Sequence, residues 1–216
     1  MTHDFAKTNQ VFDETYRKGL LKDGDLRYYG LSLVEAGDYE VARKILEEYF
    51  GKAEGVASDY AAYGRALIQL RQDSLAAIAL DRSLVLDNGQ TPVKKMLWET
   101  LYNLGKSYYS SKQFALADTT FERLINLHPG IVTGYLWAGR SEAQLDPETT
   151  QGLAKDSYEK VIEISKSNND LKEAYSYLGY YYYVQKDIAL SRTNWQKVLS
   201  IDPQDERAKE ALKAIK

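Results

Sequence analysis

Cysteine is absent from the 216 residues, which removes disulfides, thiolate metal sites and cysteine nucleophiles together. Histidine is nearly absent as well. His3 and His128 are the only two, so no histidine-based metal cluster can form. No apolar run approaches the ~18 residues that a membrane-spanning helix needs. The first ten residues, MTHDFAKTNQ, have neither a basic start nor an apolar core, so no signal peptide is visible there. A formal net charge of −3 argues against nucleic acid as a partner, because neutralising phosphates takes a surplus of Lys and Arg. Only 4 prolines occur, which suits a helical chain.

What is present is a period. Glycines at 30, 64, 105, 139 and 179 each follow an apolar or aromatic residue and are separated by 34, 41, 34 and 40 positions. Two of these intervals sit on the 34-residue period of a helix-turn-helix repeat. A small residue falls 12 positions after four of the glycines (Ala42, Ala76, Ala117, Ser191), and Ala154 falls 15 after Gly139. Four positions later stand Leu46, Leu80, Phe121, Tyr158 and Trp195. Small residues let two helices approach closely, and bulky ones a turn away fill the gap. One such pair cannot bury its apolar face alone, so pairs stack.

The segments LYNLGKSYYSSKQFALADTTFERLINLHP and YSYLGYYYYVQKDIALSRTNWQKVLSIDP carry the pattern most fully, through Gly105, Ala117, Phe121 and Pro129 and through Gly179, Ser191, Trp195 and Pro203. This resembles the tetratricopeptide repeat family, bacterial type, over residues 23–205. The resemblance implies an all-α fold, a right-handed α-α superhelix in a single domain over 1–216. Repeats are expected at about 23–56, 57–90, 91–131, 132–171 and 172–205, with a capping helix at 206–216. The fourth repeat departs most, with Ala138 and Glu142 where leucine and an aromatic are usual. Thr91 and Pro92 predict an early start that lengthens the third repeat's first helix. In LDPETTQ, Asp146 and Pro147 predict a further helix start.

Residues 1–22 read as one helix with Phe5, Phe12 and Tyr16 on one side. It is either a solitary cap or the second half of a truncated repeat, and the second reading is preferred. The chain would then be a piece of a longer protein, exported or periplasmic, with its signal in the missing part; otherwise it is cytoplasmic.

The resemblance also implies function. In the family the first helix of each pair lines a groove. The position after each glycine holds Leu31, Arg65, Lys106, Arg140 and Tyr180, a column with three consecutive cations. Arg27, Tyr102, Tyr109 and Tyr183 are expected in the same groove. These point to a protein or peptide partner, an acidic one if the column acts together, with self-association as a further use. The lysine–asparagine clamp of some relatives is present only as Lys106 and Asn103, with Ala62 and Trp137 at the neighbouring positions. The reading is of a non-enzymatic interaction scaffold with no cofactor and no metal. A structural subunit of an envelope assembly or exported lipoprotein complex is the alternative, and a carbohydrate-binding or small-ligand helical domain the third.

Overall fold

The computed structural model describes residues 5–215, with side-chain burial from residue 8 onward. Residues 1–4 of the expected first helix, the side chain of Phe5, and the last residue of the expected cap lie outside the described residues. All regular structure among the described residues is helical.

The chain divides into two compact units, Met1–Asn103 and Leu104–Lys216. Unit 1 holds α1 (Phe5–Arg17), α2 (Asp23–Ala36), α3 (Tyr39–Phe50), α4 (Ala57–Gln69), α5 (Asp73–Leu86) and the first part of α6 (Thr91–Ser110). Unit 2 holds the rest of α6, then α7 (Phe114–Leu127), α8 (Val132–Leu145), α9 (Lys155–Ile164), α10 (Asn168–Val184), α11 (Ile188–Ile201) and α12 (Glu206–Ala214). Within unit 1, α2 packs on α3 and α4 on α5; within unit 2, α10 packs on α11 and α9 lies against both α8 and α10. At 20 residues, α6 has the early start that Thr91 and Pro92 predict.

The glycine landmarks sit at the closest helix approaches. A Cβ added at Gly30, Gly64, Gly105 or Gly179 would stand 2.6–2.7 Å from Leu46, Leu80, Phe121 or Trp195, sixteen positions later in each case. The small residues between them are fully buried: Ala42, Ala76, Ala117 and Ser191. Ser191 keeps its place in an apolar seam because its hydroxyl donates to the Gly179 carbonyl at 2.7 Å.

A second landmark lies seven residues after the same glycines. Gly37, Arg71, Lys112 and Lys186 all take a positive φ, between 59° and 84°, and turn the chain from one helix into its partner. Only the first of the four is a glycine.

The fourth glycine is different. Gly139 would meet Ser157 and Tyr158 at 3.3 Å, a looser fit. The segment after α8 forms no helix where Asp146 and Pro147 predict one. Instead Asp146 is buried, and its carboxylate accepts from the backbone N–H groups of Thr150, Gln151 and Gly152 at 2.8–3.1 Å and from the Thr150 hydroxyl. Thr149 and Gly152 have positive φ, which breaks the helical path that Pro147 would otherwise start. α1 ends at Arg17, ahead of Gly19 with φ 67°, and stacks Phe12 on Tyr29 with centroids 5.3 Å apart.

Candidate functional site

In unit 1, Arg27 is held by its neighbour and does not stand free. Its Nε donates to both oxygens of Asp59, at 2.9 and 2.8 Å, and Asp59 is completely buried. Asp59 also accepts from the Val56 N–H at the start of α4, so one carboxylate caps a helix and anchors an arginine. That bond holds the Arg27 guanidinium above its ordinary range. Arg65 pairs with Glu35 across α2 and α4 and borders a cleft of about 360 Å3 with Tyr39, Ile68 and Met96. Tyr102 stacks on Trp98, with centroids 5.5 Å apart and rings 12° from parallel.

In unit 2 the expected residues gather on one side chain outside the expected groove set, Trp137. Trp137, half-buried on α8, carries Lys106 at 5.6 Å and Arg140 at 4.7 Å from its ring centroid. Tyr109 meets it edge-on at 5.4 Å, and Phe121 stacks beneath it at 5.7 Å. Cations over an indole face are attracted by its quadrupole, by roughly 0.5–1 kcal/mol at exposed sites. Arg140 is also bidentate to Glu173, at 2.8 and 2.7 Å, which raises its affinity for the proton. Glu173 in turn accepts from the Tyr158 hydroxyl at 3.0 Å, and burial first, then that carboxylate, pushes the hydroxyl upward.

Glu173 and Tyr158 border a polar cleft of about 560 Å3, with Gln144, Asn169, Ser176 and Arg207 also on its wall. Lys172 lies there too, paired with Asp202 at 2.8 Å and Asp205 at 3.4 Å. Tyr180 packs onto the cluster around Trp195 and α12, and Tyr183 is 47% exposed beside it.

Two of the column's three cations, Arg65 and Arg140, are therefore neutralised. Arg27, Arg65, Arg140 and Lys172 each meet a carboxylate 30 to 33 positions away, about one repeat. Opposite charges one repeat apart were the sequence signal for these pairs. Singly, each residue reads as solvated surface.

A second cleft, of about 380 Å3, is acidic. Burial pushes the Glu142 carboxyl up to about 7; the Ser157 hydroxyl pulls it back, and Asp118, Glu122 and Asp156 push it up again. Asp118 is raised to about 6 by burial and by Glu122. Among the described residues no three His, Cys, Asp or Glu side chains converge as metal ligands. None of the described helices is long and apolar enough to cross a membrane.

Residues 99–130 match the tetratricopeptide repeat model. The C-terminal part of a TPR repeat-containing protein from Cytophaga hutchinsonii is 29% identical over 97% of this chain and 95% of its own, with a TM-score of 0.51. The TPR domain of Arabidopsis OM64 is 21% identical, covering 57% of this chain and 97% of its own, with a TM-score of 0.49. No curated protein matches the sequence. With the repeat model met at α6 and α7 and the described chain helical throughout, the chain contains a tetratricopeptide repeat and has a fold that in general supports protein–protein interaction.

Proposed function

We propose that the chain holds an extended or helical segment of a partner protein on the unit 2 surface around Trp137, next to the polar cleft between α8, α10 and α12. The observation behind this is the half-buried indole with Lys106 and Arg140 over it and Tyr109 at its edge. Tryptophan, tyrosine and arginine are the residue types that dominate binding energy at interfaces. Two features of the surroundings support a peptide over a rigid surface. The adjoining cleft is polar, and it offers amide and hydroxyl groups from Gln144, Asn169 and Ser176 to a partner's backbone.

The neutralised arginines change the expected partner. A guanidinium already bidentate to Glu173 gains little from a second carboxylate, so overall acidity matters less than an aromatic or aliphatic anchor over Trp137. No chemistry is assigned to the site, in keeping with a family that is typically non-enzymatic.

The test compares captured partners of the wild type with two variants of the full chain. Trp137→Leu removes the indole. Lys106→Glu with Arg140→Gln and Glu173→Gln reverses the lysine's charge while leaving a neutral pair at the last two positions. Both should lose partners when quantified at fixed salt. If both keep the wild-type melting temperature and the wild-type partners, the reading is wrong.

A further inference from the structure

We infer that unit 2 carries a second subsite, formed where α10, α11 and α12 meet, that takes one bulky apolar side chain of a peptide and pairs Arg207 with a carboxylate beside it. The inference rests on the scaffold reading in taking the partner to be a peptide; it uses none of the side chains that touch Trp137 and shares only Arg207 with the adjoining polar cleft.

The pocket is lined by Tyr180, Tyr183, Trp195, Ala211, Ala214 and Ile215 and holds about 180 Å3. Its origin is local. Ala211 and Ala214 lie three positions apart on one side of α12, and their small side chains leave space beside the aromatic rings of α10 and α11. Trp195 and Ile215 are nearly fully buried, while Tyr183 stays exposed as a wall. The Arg192 guanidinium donates to the Ile215 carbonyl at 2.8 Å, which ties the end of α12 to α11.

Size and lining decide the occupant's class. Sites for whole small molecules run to roughly 300–1,000 Å3 and combine apolar walls with several polar groups. This pocket is smaller, and apart from two tyrosine hydroxyls and the Trp195 indole N–H its side chains are apolar, so it suits a single aliphatic or aromatic side chain. Water inside it would find few hydrogen-bond partners, which makes displacing it favourable.

Charge supplies the rest. Arg207 lies four residues before Ala211, on the same side of α12, with its guanidinium 5.9 Å from the Trp195 ring centroid. Arg27, Arg140 and Lys172 all have carboxylate partners, yet among the described residues none pairs with Arg207. An exposed guanidinium beside an apolar pocket is complementary to an acidic residue adjoining a bulky apolar one. The occupant is therefore a segment in which a large apolar residue is flanked by Asp or Glu.

The probe is the capped peptide Gly-Asp-Phe-Asp-Gly, titrated into the 15N-labelled full chain while the Trp195 indole N–H signal is followed. Gly-Asn-Phe-Asn-Gly and Gly-Asp-Gly-Asp-Gly are the controls, and decanoate is a separate arm. The acidic Phe peptide should shift the Trp195 signal and bind more tightly than either control. Ala211→Leu, which fills the pocket, should weaken it by about tenfold or more. Arg207→Gln should bring the Asp and Asn peptides to the same affinity. If Ala211→Leu fails to fold, Tyr183→Ala, at an exposed wall, should weaken the same peptide. No Trp195 response up to about 1 mM peptide overturns the inference. So does unchanged binding to the filled variant, equal wild-type affinity for the Asp and Asn peptides, or a response to decanoate alone. Trp137→Leu separates the two readings: it should leave this peptide's affinity unchanged even where it abolishes partner capture.

Discussion

Unit 2 closes two helical hairpins by different means. From α10 to α11 the chain turns in three residues, with Lys186 left-handed and the Asp187 carboxylate accepting from the Leu190 N–H. There Gly179 lets Trp195 sit against the α10 backbone, so the pair is held by close packing. From α8 to α9 the connection takes nine residues, α9 has only ten, and the helices stand further apart at Gly139. The buried Asp146 carboxylate organises that connection. Where the repeat geometry is intact, backbone approach closes the hairpin; where it has drifted, one side chain does so. The second solution concentrates the load.

Removing that side chain should have the largest effect. Asp146→Ala leaves three backbone N–H groups without their acceptor and should cost about 3 kcal/mol, since bonds to charged groups are each worth roughly 1.5–3. Asp187→Ala, the loss of an ordinary cap, should cost about 1 kcal/mol. Thermal melts of the two decide it, and equal losses would erase the distinction between the hairpins.

The glycines give a smaller contrast of the same kind. Gly179→Ala sets a methyl group 2.7 Å from the Trp195 ring and should cost about 2 kcal/mol by overpacking. At Gly139 the neighbours need to give only a few tenths of an ångström. Gly139→Ala should therefore be neutral, or stabilising by up to about 1 kcal/mol through helix propensity. Denaturant midpoints would show it, and matched losses would contradict the looser packing.

The smallest effect is a pH dependence confined to the α8–α9 side. Glu142 holds its proton up to about 7, well above the ordinary carboxylate value, so the folded chain binds that proton more tightly than the unfolded one. Stability from this group is fully present below about pH 4.3 and is lost as pH rises through 7. Asp118, raised to about 6, acts with the same sign. After allowance for solvent screening, the wild type should lose about 1 kcal/mol between pH of about 5 and 8. Glu142→Gln should flatten that slope; an unchanged slope would remove Glu142 as its source.

These contrasts also explain what could be read from the sequence. Gly30 with Leu46 and Gly179 with Trp195 were legible because each contact lies within one repeat, at a fixed spacing of sixteen. Arg140 with Glu173 was not, because the contact runs between repeats and neither residue looks unusual alone. Asp146 misled for a specific reason: an aspartate before proline satisfies the rules for a helix start, and only the left-handed Thr149 and Gly152 show the chain turning away. Trp137 stands where the family's clamp has another residue, so nothing in the motif points to it, although two cations and two aromatic rings of unit 2 gather on it. The pocket beside Arg207 had no local signal at all, since three helices and two alanines make it together.

The left-handed turn residues have one more consequence. Lys112 and Lys186 each follow the carbonyl end of a helix, where the helix macrodipole places about half a negative charge. The strain of a left-handed non-glycine residue costs about 1–2 kcal/mol. A cation at a helix C-terminus recovers roughly 0.3–1 kcal/mol of that. Glycine and lysine are thus closer in energy at these turns than the backbone angle alone suggests. The position can supply surface charge at little thermodynamic cost, which is a route by which a repeat can tune its solubility without touching its core.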